Sequence, residues 1–271
     1  MSDDGSVWYF AIGSMMNPIS LANRDLTPLE SHPAKVLDFR LGFFGAAGMA
    51  EAVPEPGASF HGVLHKMTAA HMAVLDALEV AYVRVAATVE RYDGTCVAAT
   101  IYGRDAATVR AMQVPDAPPS ERYIEVMVRG CENFGVAPAH IEYLKSVPFV
   151  PRKAPSAFLR LPEPEGLPTF SQEQLRAGAG VNGAPLLVSL NGKVCEYIGG
   201  PDFYLYKHFL KMAGQPVELR MSKMLQDPKY GCPDKLKDFT REHCGAIEDL
   251  ILSSFGDKLK VVAHIDQEFA D

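Results

Sequence analysis

The residue best placed to move a proton in this 271-residue chain is Glu79, the last residue of the apolar run Leu75-Asp76-Ala77-Leu78-Glu79. The run has helical spacing, so Glu79 falls at a helix C-terminus, where the macrodipole disfavours negative charge. Its neighbours Leu78 and Val80 are apolar. Desolvation by such neighbours penalises the ionised form and raises the carboxyl's pKa. A carboxylate tuned upward accepts and returns a proton near neutrality. Taken alone, a glutamate in this position is more often a solvated surface acid.

Two further segments carry groups that would hold a substrate. The run Tyr9-Phe10-Ala11-Ile12-Gly13-Ser14-Met15 is a strand-like stretch that breaks into a Gly-Ser turn. Successive backbone N–H groups in such a turn form a nest for a carboxylate or an oxyanion. Many ordinary strands also end in Gly-Ser. In Ala117-Pro118-Pro119-Ser120-Glu121-Arg122-Tyr123, Ser120 is an N-cap and Tyr123 stands on the first helical turn, placed to reach a ligand or simply to pack.

The elements that must position these groups follow from periodicity. Strands are predicted over 7–12, 34–44, 60–66, 83–91 and 95–102, with Tyr92-Asp93-Gly94 as the turn of a hairpin. Helices are predicted over 68–78, 120–130 and 138–147. Strands dominate and helices come late, which predicts an α+β fold around a closed or strongly curved mixed sheet.

Residues 147–169 carry six prolines. Proline removes a backbone donor and fixes φ, so this stretch reads as a semi-rigid linker. The expected organisation is a first domain over 1–150, a linker over 151–168 and a second domain over 169–271. The second half opens on a capping-box pattern, Ser171 with Gln174. A hairpin follows, with strands over 186–190 and 193–198 around Asn191-Gly192. From Phe203 onward the chain reads mostly as helix.

Bulk composition narrows the classes. A hydrophobic fraction of 48% and a charged fraction of 22% are those of a globular protein. A net charge of −7 argues against nucleic-acid binding and against a polybasic membrane contact. No apolar run reaches transmembrane length, and the acidic start lacks the pattern of a signal peptide. The five cysteines are odd in number and form no Cys-x-x-Cys pair, so neither zinc nor a disulfide framework is expected. Reduced thiols in a cytoplasmic setting follow. His61 and His65 are four apart but lie in a strand, without helical metal-ligand spacing.

Taken together, the strand with its Gly-Ser turn, then Leu-Asp-Ala-Leu-Glu79 with a following Tyr, then Ala-Pro-Pro-Ser-x-x-Tyr123, then Gly130-Cys-Glu-Asn-Phe-Gly135, resemble the γ-glutamylcyclotransferase family. The resemblance covers about residues 7–147. It implies a mixed β-barrel-like fold, with Glu79 as the proton-transfer residue. Tyr9, Phe10, Ala11, Ile12, Gly13, Ser14 and Tyr123 would hold a small γ-glutamyl substrate. The implied reaction closes the γ-glutamyl group to 5-oxoproline and frees an amine, without metal or cofactor. Two positions depart from the family pattern: Ile12 replaces a Tyr and Met15 replaces an Asn. Both departures favour either a less polar amine portion or an inactive scaffold.

Residues 170–265 resemble the small α+β cytochrome-b5-like haem/steroid-binding domain of the membrane-associated progesterone receptor family. The match runs through Phe170-Ser-x-x-x-Leu, Leu-Asn-Gly-Lys-Val, Phe203-Tyr204 and Ala213-Gly214. The family's tyrosine ligand position is Phe209 here. The resemblance therefore implies either haem held through Tyr206 or His208, or a module that has lost haem. The latter would pack, or bind a sterol or a protein.

Overall fold

The computed structural model describes residues 5–45, 47–79, 82–104, 117–201 and 206–270. The chain divides into two compact units, Met1–Arg152 and Lys153–Asp271.

In the first unit, β1 (Val7–Ala11), β2 (Glu30–Phe44), β3 (Met49–Met67), β4 (Val83–Arg91) and β5 (Cys96–Gly103) form a closed barrel in the order β1-β3-β2-β4-β5. Closure comes from β1, antiparallel to β3 over Val7↔Met67 to Ala11↔Val63 and parallel to β5 at Tyr9↔Thr100. The sheet is thus mixed and the fold α+β. A 3-10 turn (Ser14–Met16) and the short α1 (Pro18–Ala22) follow β1. Helix α2 (Ala69–Leu78) precedes β4, and α3 (Glu121–Asn133) and α4 (Pro138–Ser146) come after β5. The barrel and these helices share one core that includes Phe10, Leu64, Ile101 and Met127.

Strand β3 begins well before the predicted 60–66. Its first half pairs Met49↔Phe44 through Pro54↔Phe39 with β2. Two prolines and a glycine, Pro54, Pro56 and Gly57, hide it from an alternation test. A bulge between Leu37 and Phe39 absorbs the irregularity. There Asp38 adopts φ 62°, and its side chain accepts the Gly57 N–H at 2.8 Å.

In the second unit, β6 (Thr169–Phe170), β7 (Leu187–Leu190), β8 (Lys193–Tyr197) and β9 (Leu259–Ile265) form a sheet ordered β6-β9-β8-β7. Helices α5 (Gln172–Ala177), α6 (Tyr206–Leu210), α7 (Val217–Leu225) and α8 (Arg241–Phe255) accompany it. Ser171 and Gln174 form the expected capping box. Strand β9 is the exception to the mostly helical reading of the last third: buried positions alternate with more accessible ones, and its partners β6 and β8 are distant in sequence. Within the proline-rich stretch, Leu159 and Leu161 donate backbone N–H groups to Asp249 and Glu248 at 2.8 and 2.9 Å. Among the described residues no helix is long and apolar enough to cross a membrane.

Candidate active site

Helix α2 delivers Glu79. Thr68 caps its start by accepting the His71 N–H, and the helix ends as the Glu79 N–H reaches Leu75 O at 2.9 Å. Asp76, one turn earlier, fixes the helix to the barrel. It accepts Nε and Nη2 of Arg84 at 2.8 and 2.6 Å and the Tyr102 hydroxyl at 2.7 Å. Glu79 is half-buried. Burial holds its carboxyl above the ordinary range, and the nearby Arg24 guanidinium offsets part of that rise. Arg24 is itself anchored, donating to Ser20 O at 2.9 Å.

Strand β1 and the turn after it supply the opposite wall. Tyr9, Phe10, Ile12, Gly13, Ser14 and Met15 share one cavity with Glu79. Tyr82, Tyr102, Tyr123, Met49 and Ala50 complete the lining. Ala11 is fully buried and lies outside this lining. The cavity measures about 80 Å³. That is far below the roughly 300–1,000 Å³ of pockets for drug-sized ligands.

Burial, then the charge of Glu79, pushes the Tyr9 phenol well above its usual range. Tyr9 therefore stays protonated and offers a hydroxyl. Tyr123 is placed by Ser120, whose side chain accepts the Tyr123 N–H at 3.3 Å. The Tyr123 hydroxyl in turn accepts the Ala50 N–H at 3.3 Å. Burial holds its phenol high as well, so it too is neutral.

The turn is held from behind. His65 is fully buried, and burial pushes its imidazole down to about 4, so the ring is neutral near pH 7. Its Nε2 stands 3.2 Å from Met15 O and its Nδ1 2.8 Å from Ser31 Oγ. A carbonyl only accepts, so Nε2 carries the hydrogen and Nδ1 accepts from Ser31. Asn17 accepts the Ile19 N–H at 3.0 Å and donates to Val126 O at 3.3 Å, which ties the turn to α3. Gly130 allows that approach: a Cβ there would meet the Met16 carbonyl carbon at 2.7 Å. Ile12 and Met15 are 8% and 6% exposed, so the two departures make the pocket floor apolar.

The structure therefore brings Glu79, the Gly13-Ser14 turn and Tyr123 to one cavity. Sequence reading missed Arg24, Met49, Ala50 and Tyr102. Alternation along β5 pointed Tyr102 inward; nothing local marked the others. His61 is bound to the Tyr92 hydroxyl at 2.6 Å. Among the described residues no three His, Cys, Asp or Glu side chains converge as a metal site.

In the second unit, Phe209 is 1% exposed and packs on Tyr197 with ring centroids 5.0 Å apart. Tyr206 meets the same ring at 5.7 Å. Phe203, Tyr204 and the His208 side chain lie outside the described residues.

Residues 59–144 match the AIG2-like family. No curated protein matches the chain in sequence. Among solved structures, the chain is similar to an uncharacterized protein from Homo sapiens at 23% identity and a TM-score of 0.47, over 55% of this chain and 92% of that one. A γ-glutamyl cyclotransferase gives 23% identity and a TM-score of 0.46, over 54% and 89%. A hypothetical protein from Arabidopsis thaliana, described as having a cytochrome-b5-like fold, gives 21% identity and a TM-score of 0.25, over 39% and 96%.

Proposed function

We propose that the first unit catalyses γ-glutamyl cyclotransfer, releasing 5-oxoproline and a free amine from a γ-glutamyl amine or peptide. The observation that carries this reading is the shared cavity, which sets one raised carboxyl, Glu79, against a Gly-Ser turn and four tyrosines, Tyr9 and Tyr123 among them. The AIG2-like match over 59–144 supports it, since that segment includes Glu79 and Tyr123.

In this reading the substrate's α-amine nitrogen attacks its own γ-amide carbonyl carbon. The ring C–N bond forms and the original C–N amide bond breaks. Glu79 takes a proton from the attacking amine and delivers it to the departing nitrogen. Both reacting groups belong to one molecule, so the protein's main task is to fold the substrate into the reactive shape. The amides of the Gly13–Met15 turn and the hydroxyls of Tyr9 and Tyr123 hold the carboxylate and the developing oxyanion. The chemistry calls for neither metal nor cofactor.

The test is 5-oxoproline release from a panel of γ-glutamyl amines and dipeptides by wild type and Glu79→Gln. The substitution keeps the shape and removes the base. A loss of about 10²–10⁴ in turnover is expected. Equal activity of the two proteins would remove Glu79 from the mechanism, and no turnover of any substrate by wild type would overturn the reading.

A further inference from the structure

Next to the cavity, on its Tyr82 side, lies a charged pair that the barrel does not need for packing. Glu51 on β3 is 2% exposed. Its Oε2 has no hydrogen-bond partner among the described residues, and Arg104 Nε stands 3.6 Å from it. An ion pair this buried and this loosely bonded is poor value for stability, because desolvation costs rival the attraction. An apolar residue at position 51 would serve the core at least as well.

Arg104 directly follows β5, and its guanidinium carbon lies 5.8 Å from the Tyr82 ring centroid. The cation therefore rests against the aromatic ring of Tyr82. Tyr82 lines the cavity. It is also tied to the base, since the Tyr82 N–H donates to Glu79 O at 2.8 Å. Glu51, Arg104, Tyr82 and Glu79 thus form a chain running from a buried charge to the reacting centre.

We propose that Arg104, held by Glu51, is a positioning residue that holds the Tyr82 ring at the cavity and, through the Tyr82 N–H on Glu79 O, steadies Glu79. The inference rests on the cyclotransfer reading. Glu51 neutralises the arginine, so the pair orients Tyr82 without adding net charge beside Glu79. The charged and titratable groups around Glu79 are then Arg24, Tyr9, Tyr82 and Tyr123.

The experiment compares wild type, Arg104→Gln, Arg104→Lys and the charge-balanced double variant Glu51→Gln/Arg104→Gln. One readout is turnover of the best γ-glutamyl substrate. The other is the ¹³Cζ NMR shift of Tyr82 at neutral pH, which reports the ring's surroundings without any substrate. Expected is a fall in kcat of about tenfold or more with KM changed less than threefold. A moved Tyr82 resonance should accompany it in Arg104→Gln and in the double variant, with partial recovery of both in Arg104→Lys. An unmoved resonance overturns the contact. A moved resonance with unchanged kcat reduces the pair to a packing feature and overturns the positioning role. No turnover by wild type overturns the cyclotransfer reading itself, and the positioning role with it. Thermal midpoints taken alongside show whether a variant has failed to fold. In that event the conservative Arg104→Lys decides, and full retention of kcat there with a changed Tyr82 resonance overturns the proposal.

Discussion

Gly13 and Tyr123 fit together so closely that a Cβ on Gly13 would lie 2.5 Å from the Tyr123 hydroxyl oxygen. The glycine is there because the tyrosine is. Gly13→Ala is expected to push the phenol off its Ala50 contact. Overpacking of this kind costs about 1–3 kcal/mol. A lowered thermal midpoint and at least tenfold slower 5-oxoproline release are the expected readings. Tyr123→Phe in the Gly13→Ala background relieves the clash and should restore the midpoint without restoring the rate.

Asp76 is the anchor that aims α2, bridging Arg84 and Tyr102 across two strands. Asp76→Ala should release the last turn of the helix and blur the position of Glu79. Positioning losses of this kind reach about 10²-fold when a catalytic group shifts by an ångström. A kcat loss of tenfold or more with KM little altered is expected in steady-state assays.

Much of this arrangement was legible in the sequence. Strand β1, the Gly-Ser turn, the capped helix that ends at Glu79 and the Ser120 cap before Tyr123 all declare themselves locally. Each depends on a residue type at a fixed offset. Arg24 and Glu51 could not be found that way, because their relation to Glu79 and Tyr82 exists only once the barrel closes. The first half of β3 was hidden by prolines that a bulged strand tolerates. Strand β9 was hidden by its partners, since alternation in Leu259–Ile265 gains meaning only beside β8.

Turnover should depend on Glu79 being ionised, so activity rises with pH through the carboxyl's raised pKa. The Arg24 charge favours the ionised form and holds that rise to lower pH. Arg24→Met is therefore expected to move the acid limb of the kcat profile upward. A limb that stays in place would show that the guanidinium does not act on Glu79.

The second unit carries its own pH dependence. Glu218 is fully buried, and burial holds its carboxyl up at about 7, while the Asn191 N–H bonds one oxygen at 2.6 Å. The folded state thus keeps a proton that the unfolded chain releases near 4.5. Stability is expected to fall as pH rises from about 4.5 to about 7 and to level off above that. The loss is on the order of 3 kcal/mol at ~1.4 kcal/mol per pH unit. Glu218→Gln keeps the acceptor for Asn191 and should flatten the curve, as read from denaturant midpoints across that range.

Closure of the barrel also governs how the chain behaves among its own copies. Val7–Ala11, Val-Trp-Tyr-Phe-Ala, is the kind of apolar strand that templates aggregation when its edge is open. In the barrel it has a neighbour on each side, β3 and β5. The second sheet ends on β6 and β7, two and four residues long, too short to recruit another strand well. The strand that helps wall the pocket is therefore also one whose release would be hazardous in a crowded solution, and ligand bound in the cavity would protect against self-association as well as against unfolding.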